Sequence, residues 1–161
     1  MYAMHSARER SDMPRSDSDR PLTPWQEYVK ARLDDSGRRQ KEFDGLTSGV
    51  ITNTMVSNWV TGRSGAEPEA AALFALTTGA PVMTALRAAG HETLADIIGS
   101  QMATARDPRI AKMLDDPLLT EADRTDFQEI VARRENRLAV ELVALLGEMI
   151  KTRQGEASQQ A

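Results

Sequence analysis

Asn53, Thr54, Ser57, Asn58 and Thr61 lie within one short stretch, TNTMVSNWVTGR, where they are interleaved with Met55, Val56, Trp59 and Val60. The apolar four recur at i, i+1, i+4 and i+5, the spacing of one helix face, so the polar five share the opposite face. Asn can bond an adenine edge bidentately, and Thr and Ser can reach bases or phosphates. None of the five carries the charge that an ordinary solvated helix face would bring. A face of neutral hydrogen-bonding groups is suited to reading bases. Arg38, Arg39, Lys41 and Arg63 flank it with positive charge where phosphates would pass. Asn, Ser and Thr also decorate exposed helices of weak propensity, so the pattern alone leaves both readings open.

Other chemistry has little to work with. The 161 residues suit one ordinary domain, or a small one with an extension. They contain no cysteine, and the two histidines, His5 and His91, lie far apart in sequence, which leaves no basis for thiolate, disulfide or clustered-histidine sites. No metal or other cofactor is expected. The carboxylates fall at helix caps and in i, i+4 pairs such as Glu129 with Arg133, an arrangement of solvated helices rather than of an acid–base pair, so no enzymatic activity is expected. No apolar run reaches the roughly 18 residues of a membrane span. The N-terminal stretch MYAMHSARERSDMPRSDSDR lacks the apolar core of a secretory signal, and a cytoplasmic location without membrane contact is expected. Net charge is −4, divided as 10 Lys/Arg against 9 Asp/Glu over residues 1–63 and 10 against 15 over 64–161. That mild asymmetry would let one surface meet an anion while the rest repels it.

The elements that must position the polar face are helices, since 40% of residues are apolar, only 4% are aromatic, and β-branched runs are few. An all-α fold is predicted. Residues 1–22, rich in Arg, Asp, Ser and Pro, are expected to form a disordered arm, its arginines a solvated tail rather than a minor-groove arm. Thr23, Pro24 and Gln26 then form a capping-box signature, Trp25, Tyr28, Val29 and Leu33 share one face, and Gly37 ends the first helix. RQKEFDGL offers Phe43 and Leu46 to the core, TSGVI turns the chain, and Thr52 caps the polar-faced helix, which Gly62 closes. Pro68 starts a fourth helix with Ala72, Leu73 and Leu76 inward, and VMTALRAAG forms a fifth. His91 is read as a helix-end residue rather than a ligand.

Order and spacing from Trp25 to His91 resemble the lambda-repressor-like, or xenobiotic-response-element, helix-turn-helix family. RQKEF is similar to the opening of that family's second helix, with Gln40 at its characteristic glutamine; MVSNWVTGR to the end of its recognition helix; and PEAAALFALTTGAPVMTALRAAGH to its fourth and fifth helices. The resemblance implies a five-helix DNA-binding domain over residues 23–91. It places Asn53 and Thr54, behind the Thr52 cap, at the first base-contacting positions, Ser57 and Asn58 on the next turn, and Thr61 and Arg63 near the phosphates. Gln40 would touch a phosphate and brace Asn53, beside Arg39 and Lys41. One departure is the stretch DGLTSGVITNTM, longer than the family pattern and with Asp44 and Gly45 in place of helix-favouring residues.

Beyond His91, DPRIAKMLDDPLLTEADR is similar to tails of regulators from actinobacteria and their phages. Asp107 with Pro108 begins a helix, Asp116 with Pro117 ends it, and Thr120 caps a long one reaching about Arg153. This helical region, 92–153, is followed by a tail, 154–161, expected to be disordered. Phe127, Ile130, Val131, Leu138, Leu142, Leu145, Leu146 and Met149 form the long helix's apolar ridge, which must bury itself against preceding helices or another subunit. Leu138, Leu142, Leu145, Leu146 and Met149 are the candidate dimerisation residues. Taken together, the expectation is a sequence-specific repressor, phage-immunity-like or a host regulator of the same family, binding a double-stranded DNA operator as a homodimer. A monomer on an asymmetric site is the rival assembly, and a helical interaction module such as an antitoxin or adaptor is the rival function.

Overall fold

The computed structural model describes residues 20–105 and 107–159, and every regular element among them is a helix. No helix in the described residues is long and apolar enough to cross a membrane. Helix α1, Pro24–Ser36, starts where Thr23 Oγ1 accepts the Gln26 N–H at 3.2 Å and Gln26 Oε1 accepts the Thr23 N–H at 3.4 Å. These reciprocal bonds satisfy donors that a helix start otherwise leaves orphaned. A 3-10 turn, Gln40–Glu42, leads into the single turn of α2, Phe43–Leu46, followed by α3, Asn53–Val60, α4, Pro68–Thr78, and α5, Val82–Ala88.

An aromatic centre joins α1, α2, α3 and α4. Phe74 of α4 stacks on Phe43 at 5.0 Å between ring centroids and meets the edges of Trp25 and Trp59 at 5.8 Å each. Such offset and edge contacts add to the gain from burying large rings. Leu46, expected beside Phe43 in the core, is instead 50% exposed. The chain turns out of α2 directly after it, and Ile51 is fully buried in the core instead.

Three helices follow: α6, Glu92–Ala105; α7, Pro108–Leu114; and α8, Glu121–Gln159. Sequence reading did not separate α6 as an element, although its Ala95 and Ile98 are buried in the core. Asp107 caps α7 by accepting the Arg109 N–H at 2.9 Å. Thr120 and Asp123 cap α8 reciprocally, and the Thr120 hydroxyl, followed by its N–H, holds the Asp123 carboxyl below the usual carboxylate range. The helix does not stop near Arg153. Residues expected in a disordered tail remain helical as far as Gln159, because no proline interrupts them and propagation adds a backbone bond for each residue fixed. Residues 160 and 161, and the expected arm up to residue 19, lie outside the described residues.

The last helix is not a separate extension. It packs against α4, α5 and α6, and its Ala139 and Val143 are buried in the same core as Ala71, Ala72 and Ala75 of α4. Small side chains on α4 let a helix approach closely from each side, so α4 is covered by α8 as well as by α1 and α5. Asn136 clamps the junction: its Oδ1 accepts the Val82 N–H and its Nδ2 donates to the Ala80 carbonyl, both at 3.2 Å. One core thus joins residues 23–91 to the C-terminal region.

Candidate nucleic-acid interface

Helix α3 is held on three sides. Thr52, extended at φ −89° and ψ 158°, accepts the Met55 N–H at its Oγ1 (3.2 Å), and Val56 and Trp59 are fully buried beneath the helix. Trp59 Nε1 donates to the Gly65 carbonyl at 3.0 Å, which fixes the chain leaving the helix. Gln26 Nε2 donates to the Val60 carbonyl, also at 3.0 Å, tying the end of α3 to the start of α1. At the other end, Thr47 organises the lengthened turn. Its buried hydroxyl donates to the Phe43 carbonyl at 2.7 Å and accepts the Ile51 N–H at 2.9 Å.

On the outward side, Asn53 and Thr54 are exposed and Ser57 and Asn58 half-buried. Among the described residues, none of these four side chains makes a hydrogen bond within the chain, so their donors and acceptors remain open to a ligand. Thr61 differs. Its hydroxyl donates to the Ser57 carbonyl at 2.9 Å, which leaves it only lone pairs and nothing to give an anionic phosphate. Thr52 has the opposite polarity, since an oxygen accepting from Met55 keeps its own proton for a phosphate oxygen.

Cations gather beside this face. Arg39, Lys41 and Arg63 are exposed, Arg38 is half-buried, and none has an ion-pair partner among the described residues. Elsewhere Arg87, Arg124 and Arg133 pair with Asp96, Glu121 and Glu129. Gln40 opens the 3-10 turn, which packs directly on α3, but it makes no hydrogen bond to Asn53. The brace implied by resemblance is absent, and the buried Thr47 hydroxyl organises the connection instead. Arg38 lines a shallow recess with Lys41 and Glu42, and a second one with the Glu129–Arg133 pair and Arg137 of α8.

No protein-family model matches the chain, nor does any curated protein or solved structure. The site therefore rests on its own geometry. Helix α3 offers four neutral hydrogen-bonding side chains, with cations on its flank, that are uncommitted among the described residues.

Sequence reasoning missed two positioning residues. Gln26 was legible as half of a capping box but not as the tether of α3, because its second bond spans 34 positions. Thr47 appeared only as a polar turn residue. His91 stands at the start of α6, and its Nε2 lies 2.7 Å from the Ala66 carbonyl, a structural role. The candidate dimerisation residues divide: Leu142 and Leu146 pack against the core, whereas Leu138, Leu145 and Met149 are exposed.

Proposed function

We propose that this chain is a sequence-specific, double-stranded DNA-binding transcriptional repressor, phage-immunity-like or a host regulator of the same kind, acting in the cytoplasm without a cofactor. What supports the reading most is the outward face of α3, where Asn53, Thr54, Ser57 and Asn58, with Arg39, Lys41 and Arg63 beside them, have no side-chain bond or ion pair among the described residues. Asn side chains would read base edges in the major groove, and the cations would hold the phosphates on either side. Repression follows from occupying an operator and excluding polymerase. A single reading helix covers few base pairs, so a homodimer on half-sites about 34–36 Å apart is the assembly proposed, with a monomer on an asymmetric site as its rival.

One observation favours a second reading. Exposed Leu138, Leu145 and Met149 on α8 would serve an antitoxin or adaptor binding another protein equally well. Selection of bound duplexes from a random pool separates the two. Enrichment of one motif is expected; a pool that stays random after repeated rounds would remove the repressor reading.

A further inference from the structure

We propose that α8 pairs antiparallel with α8 of a second copy of this chain, crossing near Leu138 and using the side of the helix that faces away from α4. This deepens the two-subunit part of the function proposed above and rests on that part alone. On that side Val131, Leu138 and Leu145 recur at seven-residue spacing, with Met149 four residues after the last, the repeat of a helix seam. Leu138 is 40% exposed, Leu145 58% and Met149 45%. Phe127, Ile130, Val131, Arg134, Leu138 and Glu141 line one groove beside the end of α6 and α7. Leu142 and Leu146 are excluded from the seam because the chain's own core already covers them.

Charge identifies the occupant as a second copy and sets its direction. Arg134 and Glu141 stand on the seam without an ion-pair partner among the described residues. Seven residues apart on one straight helix, they are separated by about 10.5 Å and cannot meet within the chain. A parallel, in-register partner would set Arg134 against Arg134 and Glu141 against Glu141. An antiparallel partner crossing at Leu138 sets each Arg134 beside the other copy's Glu141, Val131 beside Leu145 and Phe127 beside Met149. The surface is then self-complementary, as a two-fold interface requires.

The absence of native cysteine makes the test direct. Sedimentation of the full chain at micromolar concentration should show a species of twice the monomer mass. Under mild oxidation, Leu138→Cys should cross-link to itself, since a disulfide needs Cα atoms within about 7 Å. Val131→Cys and Leu145→Cys should each stay uncross-linked alone and join when mixed. Self-cross-linking at all three positions would overturn the antiparallel register, and a monomer with no cross-link at any would overturn the pairing itself. Arg134→Glu should weaken dimerisation about tenfold, and adding Glu141→Arg should restore it. Both variants are on exposed positions, so retained helicity checks folding, and a dimer indifferent to either change would also overturn the proposal. None of these measurements uses DNA. A dimer that enriches no motif would therefore sink the DNA reading and spare this one, and a monomer that enriches a motif would do the reverse.

Discussion

Gln26 reaches from the first turn of α1 to the last residue of α3, its Nε2 donating to the Val60 carbonyl at 3.0 Å. The same amide lies against the end of that helix so closely that a Cβ built on Gly62 would stand 2.7 Å from Gln26 Oε1. The φ of +71° calls for a glycine at 62, and a Cβ there would also push the end of the Gln26 side chain off its partners.

The first prediction follows from this pair. Gly62→Ala should destabilise the fold by about 1–2 kcal/mol through left-handed strain and the clash. Gln26→Ala should cost about 1 kcal/mol by removing half of the capping box and the Val60 tether. Combined, the two should cost less than their sum, because the second change removes the atom that the first collides with. Strict additivity in urea denaturation would show that the close approach carries no energy.

A second prediction concerns the open amides of α3. Asn53→Ala or Asn58→Ala should cost about 1–3 kcal/mol on a selected operator while leaving binding to random duplex nearly unchanged. Equal losses on both would remove direct readout. Thr61→Val should have little effect on either, since the Thr61 proton is held by the Ser57 carbonyl.

The cations flanking α3 yield a third. Arg39→Ala, Lys41→Ala and Arg63→Ala should each weaken all DNA about equally and lower the slope of log affinity against log salt by about one. An unchanged slope would reduce these residues to a solvated flank.

Tyr28 supplies a pH dependence. Burial pushes its hydroxyl up to about 12 from 10.0, against the opposing pull of Arg32, and the oxygen has no hydrogen-bond partner among the described residues. The folded state therefore holds its proton more tightly than the unfolded chain. Its contribution to stability is complete below pH 10 and is lost as pH rises from there to about 12, where the folded protein also deprotonates. Tyr28→Phe should flatten this part of the stability profile and change stability at neutral pH by less than about 1 kcal/mol. An alkaline loss unchanged in the variant would assign it to another group.

Local rules were legible in the residues themselves. The Thr23–Gln26 capping box, the Thr52 and Asp107 caps, the Gly37 and Gly62 closures and the inward stripe of α3 all depend on neighbours within a few positions, so their spacing along the chain states them completely. What lay beyond that range was decided by packing. Only the folded chain shows that Leu46 turns outward while Ile51 enters the core, and that Gln26 tethers Val60. It also divides the apolar ridge of α8, giving Leu142 and Leu146 to the chain's own core and leaving Leu138, Leu145 and Met149 on its surface. Periodicity marks a residue as apolar and assigns it a helix face; which neighbour covers that face depends on close packing between distant segments, which no local pattern contains.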